Sequence, residues 1–221
     1  MTVKRTIREE MIRTLEKNPD WEVLDLGCSL SGWTDATVYA DIEDYKEHYE
    51  TLGKKFVQTV ADETPFKDKQ FDFIIACHIA EHMIDPNKFF KELTRISKRG
   101  YIEVPTPFFD NFTLGNSGPL PHGHAWWVTF DDVTNEMVFK PRYQVVKESI
   151  HPRDTTFLLP FFRDSMITSL YWEDEINFRI DDSVFLYEAG NGDPVQKLDL
   201  YGKKVPLNLQ WTVPALRDIK K

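Results

Sequence analysis

Five short apolar segments alternate with polar segments between residues 21 and 105, and no other feature constrains the fold of this 221-residue chain as strongly. The segments cover 21–27, 37–42, 55–62, 71–78 and 100–105. Their nearly continuous apolar character is typical of strands that are buried on both faces. Strands of this kind alternate with helices in parallel sheets, so the sequence predicts a three-layer α/β fold.

The helices and the later strands are predicted from periodicity and boundary residues. Apolar residues recur at every fourth position from Val3 to Leu15, which predicts an amphipathic helix over the first 17 residues. Asp85 and Pro86 predict the start of another helix, because aspartate is a favoured N-cap and proline a favoured first residue. The sequence further predicts a helix over 44–52, an irregular segment over 105–130, a strand over 143–150, a helix over 160–172 and a hairpin from 176–180 and 184–189.

The charge balance excludes several classes of partner. The chain carries 27 Lys and Arg against 36 Asp and Glu, a net charge of −9. An acidic surface of this kind disfavours binding to nucleic acid and to anionic membranes. No segment has the roughly 20 apolar residues of a membrane span, and Cys28 and Cys77 lie in no metal-binding or disulfide pattern. We therefore expect a cytoplasmic protein, monomeric or homodimeric.

Acidic residues and a glycine mark the ends of three successive predicted strands. Asp25 and Gly27 lie at the end of the first strand, Asp41 at the end of the second and Asp62 at the end of the third. A glycine there lets the backbone approach a ligand closely. A carboxylate can accept hydrogen bonds from ribose hydroxyls or from an adenine amine. The set predicts a binding site for a nucleoside-shaped ligand.

The sequence resembles class I S-adenosylmethionine-dependent methyltransferases, in particular the type 11-like methyltransferase domains. The resemblance covers residues 21–107 and is carried by VLDLGCSLSG, YADIED and the run from VQTVADETPF to EVPTP. It implies a Rossmann-like fold with a mostly parallel seven-stranded sheet and antiparallel C-terminal strands. It also implies a single domain over 1–221, with a cofactor-binding half (1–107) and a substrate-side half (108–221).

The same resemblance implies S-adenosylmethionine as cofactor. The residues that it assigns to cofactor binding are Asp25, Gly27, Ser29, Asp41, Ile42, Asp62, Glu63 and His78. In the family the first strand and its loop hold the methionine part, the second strand holds the ribose and the third meets the adenine. Ser29 and Ser31 stand where the family usually has glycine. This departure keeps open an alternative, a catalytically silent binding or scaffold protein with the same fold.

A competing motif is H-x-x-E-H, from His78 through Glu81 to His82. In zinc hydrolases this pattern places both histidines on one helix, where they share a metal ion. Here His78 falls at the end of a predicted strand, and Pro86 interrupts any helix soon after His82. The sequence therefore predicts no metal and leaves a zinc hydrolase as the least favoured alternative.

The segment from 105 to 130 is predicted to form a lid and substrate wall. Its His122 and His124 are the candidate general bases, since histidine titrates near neutral pH. The candidate substrate-contacting residues are Tyr101, Glu103, Trp126 and Trp127. The sequence thus predicts an enzyme that moves a methyl group from S-adenosylmethionine to an oxygen or nitrogen of a small molecule, with no nucleic-acid or membrane partner.

Overall fold

A computed structural model describes residues 3–112, 123–141 and 159–181, and a seven-stranded sheet is its central element. The strands of this sheet are β1 (Val3–Arg5), β2 (Val23–Leu26), β3 (Val38–Asp41), β4 (Lys55–Gln58), β5 (Phe73–Cys77), β6 (Arg99–Pro105) and β9 (Ile167–Glu173). Their order is β1-β9-β6-β5-β2-β3-β4. The five strands from β6 to β4 are parallel, and β9 runs antiparallel to both of its neighbours. The predicted fold class is confirmed.

Helices cover both faces of this sheet. They are α1 (Arg8–Glu16), α2 (Lys46–Thr51), α3 (Pro86–Ile96), α4 (Pro107–Phe112) and α5 (Leu159–Met166). The helix α3 begins as predicted: the Asp85 carboxylate accepts hydrogen bonds from the backbone N–H groups of Asn87 and Lys88, and Pro86 is the first helical residue. These contacts satisfy donors that the first turn of a helix leaves without partners.

Two apolar cores lie on opposite faces of the sheet, as alternation along a strand requires. Ile74 and Ala76 of β5 pack on the side of α3. Phe73 and Ile75, between them in sequence, pack on the side of α1 and α2. All four side chains are fully buried. The strand is therefore covered on both faces, and its continuous apolar sequence reflects that burial.

A second, three-stranded sheet packs on the side of α3. It contains β7 (Trp126–Asp131), β8 (Glu136–Pro141) and β10 (Phe178–Ile180), in the order β10-β8-β7. Its buried residues Val128, Phe130, Met137 and Phe139 join the core that contains α3. The irregular segment predicted over 105–130 is thus wrong at both ends, where α4 and β7 form.

Three further differences from the predicted elements concern the periphery. Val3–Arg5 pairs with β9 as an edge strand, so only Met11 and Leu15 of the predicted helical face lie on α1. The predicted helix over 160–172 ends at Met166 and continues as β9, which pairs with β6 along seven residues. Within the predicted hairpin, β10 pairs in parallel with β8, while 184–189 and the strand predicted over 143–150 lie outside the described residues.

Among the helices of the described segments, none combines the length and the apolar character that crossing a membrane requires.

Candidate functional site

The carboxyl ends of β5, β2, β3 and β4 lie side by side along one edge of the sheet. Most of the predicted cofactor residues follow these ends: Gly27 follows β2, Asp41 ends β3, Asp62 follows β4 and His78 follows β5. In open α/β sheets this edge is where ligands bind. The topology therefore brings together residues that lie far apart in sequence.

The loop after β2 turns sharply through two residues in the left-handed region, Gly27 (φ 76°) and Ser29 (φ 52°). The Gly27 N–H donates to the Ala40 carbonyl at 2.8 Å, so the turn is bonded to β3. A Cβ at Gly27 would lie 2.9 Å from Cδ1 of Ile79. Glycine at this position therefore relieves both a strained backbone and a close contact.

Asp25 lies beneath this loop and not on its surface. Its side chain is 2% exposed, and Oδ2 accepts a hydrogen bond from the Trp33 N–H at 2.7 Å. Burial raises the pKa of Asp25 to about 7; the bond from Trp33 opposes this rise and the charge of Asp41 adds to it. Asp25 thus fixes the far end of the loop from below.

Asp41 is partly buried and binds the backbone on both sides of itself. Its Oδ2 accepts from the Ser29 N–H at 2.9 Å, and its Oδ1 accepts from the Glu43 N–H at 3.0 Å. The adjacent Ile42 side chain is 62% exposed. An ordered carboxylate beside an exposed apolar side chain offers both polar and apolar surface to a nucleoside.

Asp62 and Glu63 share a cation. Nζ of Lys88, in the first turn of α3, lies 3.5 Å from Oδ2 of Asp62 and 2.9 Å from Oε2 of Glu63. The Asp62 side chain is 29% exposed and that of Glu63 is 77% exposed. Asp62 is therefore the more enclosed of the two and the better placed to face a ligand.

His78 turns the chain at the end of β5, with a left-handed φ of 55°. Its N–H donates to the Glu103 carbonyl at 2.8 Å. Its imidazole lies between two carboxylates, with Nδ1 3.6 Å from Oε1 of Glu81 and Nε2 3.9 Å from Oε2 of Glu103. Burial lowers the pKa of His78, but the two carboxylates outweigh burial and raise it above its usual value.

Tyr101 and Glu103 of β6 are completely buried. The Glu103 carboxylate accepts from Arg8 at 3.0 and 2.5 Å, from Arg163 at 2.5 Å and from the Tyr101 hydroxyl. Burial raises the pKa of Glu103, but the bonds from Arg8 and Tyr101 outweigh burial and hold it below its usual value. These two residues form an internal network; Arg8 and Arg163 are the members that reach solvent.

The predicted lid is only partly described: His122 and 113–121 lie outside the described residues. Trp126 is half-buried and donates its indole N–H to the Met83 carbonyl at 2.6 Å, and Trp127 is half-buried beside it. His124 is buried, and its Nδ1 lies 2.5 Å from Oδ1 of Asp110. The described end of the lid is thus fastened to the segment that follows β5.

Comparison with known proteins identifies the cofactor half. Residues 24–102, from β2 to β6, match the family model described as "Methyltransferase domain". The chain contains a class I S-adenosylmethionine-dependent methyltransferase domain. The sheet order and the antiparallel β9 agree with this assignment, which the sequence predicted.

Individual relatives are distant. A demethylmenaquinone methyltransferase of Bacillus cereus (strain B4264) is 28% identical over 130 residues, which cover 49% of this chain and 55% of the relative. The chain thus spans about half the length of the curated relatives it matches. Among solved structures, YcgJ from Bacillus subtilis is 24% identical (44% of this chain, 50% of that chain, TM-score 0.37). A SAM-dependent methyltransferase from Aquifex aeolicus is 15% identical (74% and 87%, TM-score 0.39).

Three basic residues of this methyltransferase domain and its flanks escaped the sequence reasoning: Arg8, Lys88 and Arg163. Each pairs with a carboxylate that the sequence did single out. The one available signal was Glu103, a carboxylate in the apolar segment GYIEVP, since a buried charge requires a partner. That signal predicts a cation near β6 but does not say which one, because Arg8 and Arg163 lie 95 and 60 positions away.

Proposed function

We propose that this protein transfers a methyl group from S-adenosylmethionine to an oxygen or nitrogen of a small molecule. The observation that carries the proposal is the row of predicted cofactor residues along the carboxyl ends of β2, β3, β4 and β5. The family match over residues 24–102 supports it. Both apply to the part of the chain that would hold the cofactor, and the acceptor is inferred separately below.

The residues at the strand ends fit such a cofactor. The left-handed turn at Gly27 leaves room where a Cβ would meet Ile79, and this loop would take the methionine part. Asp41 uses one lone pair of each oxygen for Ser29 and Glu43. A carboxylate has about four acceptor positions, so two remain for the ribose hydroxyls. Ile42 would cover one face of the adenine, and Asp62 would accept from its amine.

Bound S-adenosylmethionine supplies an electrophilic methyl group on a sulfonium. The chain's part is to hold the acceptor atom in line with that methyl, and positioning of this kind can supply much of the acceleration. His78 would border the reacting atoms, since it turns the chain at the strand end between the cofactor edge and β6. The catalytic imidazole predicted at His122 or His124 stays a prediction; of the two, His124 is described, and its Nε2 faces Glu81.

The proposed acceptor is a small molecule because the surface is acidic. With a net charge of −9, long-range electrostatics would repel a nucleic acid. Arg8 and Arg163 reach solvent beside Glu103, but that carboxylate already compensates them. We therefore propose no polyanionic acceptor.

One observation favours the alternative of a silent scaffold. Ser29 holds a left-handed conformation without the freedom of glycine, and its N–H is already bonded to Asp41. An N–H group used inside the protein is not available to a ligand. The alternative predicts a folded protein with no affinity for the cofactor, and direct binding measurement separates the two proposals.

The test is calorimetric titration of S-adenosylhomocysteine into wild type, Asp41→Ala and Glu43→Ala. We expect wild type to bind in the micromolar range or better. Asp41→Ala should bind about 10- to 150-fold more weakly, because hydrogen bonds to a charged acceptor are worth about 1.5–3 kcal/mol. Glu43→Ala removes an exposed carboxylate two residues away and should bind as wild type does. No heat from folded wild type at millimolar ligand would support the scaffold and refute the enzyme.

A further inference from the structure

A second cluster of chemically active side chains lies next to the cofactor edge. Glu81 and His82 belong to the single 3₁₀ turn Ala80–His82 that follows β5. His124 comes from the segment before β7 and is held there because the Ala125 N–H donates to the Glu81 carbonyl at 2.8 Å. One ligand atom from each of the three side chains lies within 4.8 Å of the other two.

The Glu81 carboxylate is the anomaly in this cluster. Its side chain is completely buried, and neither oxygen has a hydrogen-bond partner within the described part of the chain. The neighbouring ring nitrogens stand off, with Nδ1 of His78 at 3.6 Å and Nε2 of His124 at 3.9 Å from Oε1. Burying a carboxylate without bonds is costly, so such a group calls for a cation.

Both imidazoles of the cluster turn an unprotonated nitrogen inward. Nδ1 of His124 lies 2.5 Å from Oδ1 of Asp110, and Nδ1 of His82 lies 3.3 Å from the Gly123 carbonyl. A carboxylate and a carbonyl are acceptors, so each neutral ring carries its proton on Nδ1. Nε2 of each ring then has a free lone pair. Histidines that bind metals are held in this way, by an acceptor on the other nitrogen.

We propose that Glu81, His82 and His124 bind a divalent transition metal, with zinc as the best fit. Two imidazole nitrogens and one carboxylate oxygen are a ligand set that zinc accepts, with a fourth position left open. Metal–ligand bonds of about 2.0–2.2 Å would place the ligand atoms about 3.4 Å apart. Contraction from the present spacing is small and needs side-chain rotation alone. The inference is independent of methyl transfer.

This site differs from the H-x-x-E-H motif in one ligand. The sequence predicted no metal because His78 and His82 do not share a helix, and in the structure His78 follows β5 while His82 ends the 3₁₀ turn. His124, 42 positions from His82, takes the place that the motif gives to His78. The third ligand therefore comes from a part of the sequence that the motif does not include.

Calorimetric titration of Zn²⁺ into tag-free, chelator-treated full-length protein tests the site. Wild type should take up one zinc per chain. Glu81→Gln, which keeps the shape of the side chain and removes its charge, should bind zinc at least about 100-fold more weakly, beyond the 10- to 100-fold typical of residues behind the ligands. His82→Gln should show a similar loss and serves if Glu81→Gln fails to fold.

The matched control is His78→Asn, because asparagine tolerates the left-handed backbone of that position. It should bind zinc within about threefold of wild type, whereas a site built on the H-x-x-E-H motif would lose its zinc in this variant. The proposal is overturned if wild type takes up no zinc, if Glu81→Gln binds as wild type does, or if His78→Asn loses the metal. None of these results depends on S-adenosylhomocysteine binding, which the preceding experiment measures separately.

Discussion

Replacing Asp25 with asparagine should remove a pH dependence from the free energy of unfolding. The Asp25 side chain is 2% exposed, and burial raises its pKa from 3.8 to about 7. The group prefers its proton in the folded state, so its contribution to stability is complete below about pH 4 and is lost as the pH rises through about 7. A difference of about three pH units between the two states corresponds to about 4 kcal/mol.

Asp25→Asn keeps an oxygen that can accept from the Trp33 N–H and cannot ionise. Its gain in unfolding free energy over wild type should therefore grow from about pH 4 to about pH 7 and stay constant above. Urea unfolding at several pH values measures this difference. Asp20→Asn, the same change at an exposed aspartate, should run parallel to wild type. Parallel curves for Asp25→Asn would refute the reasoning, because they would show that Asp25 ionises equally easily in both states.

Two further substitutions test the supports of the site. Glu103→Gln should lower the free energy of unfolding by about 3–5 kcal/mol, since it leaves Arg8 and Arg163 without their buried partner; chemical denaturation at pH 7 measures the loss, and a loss below about 1 kcal/mol would contradict the network. Gly27→Ala should cost about 1–2 kcal/mol from its φ of 76° and also weaken S-adenosylhomocysteine binding; unchanged affinity would show that the turn does not touch the cofactor.

The sequence predicted the elements whose signals are local. The apolar run in β5 identified a strand covered on both faces, and Phe73 and Ile75 are buried on one face and Ile74 and Ala76 on the other. The start of α3 was equally predictable, because its N-cap contacts involve residues that follow Asp85 directly. Where burial or capping is decided within a few residues, sequence reasoning is sufficient.

The same reasoning failed where pairing with a distant strand decided the structure. The apolar residues of 160–172 fit a helix, but from Ile167 onward the chain pairs with β6 as β9. Val3 fits the helical period of the N-terminal segment, yet it pairs with Trp172 and is buried at the sheet edge. Backbone pairing across a sheet overrides local periodicity, and no local pattern records which strand will be adjacent.

The site shows the same limit in its charges, and the comparison of Glu81 with Glu103 makes the limit useful. Both carboxylates are completely buried, and His78 lies within 3.9 Å of each. Glu103 receives two guanidinium groups and a hydroxyl, whereas Glu81 receives no hydrogen bond from any residue that the structure describes. Equal burial requires comparable compensation. The protein supplies it to Glu103 from Arg8 and Arg163; for Glu81 the two inward-facing imidazole nitrogens indicate that a metal ion supplies it.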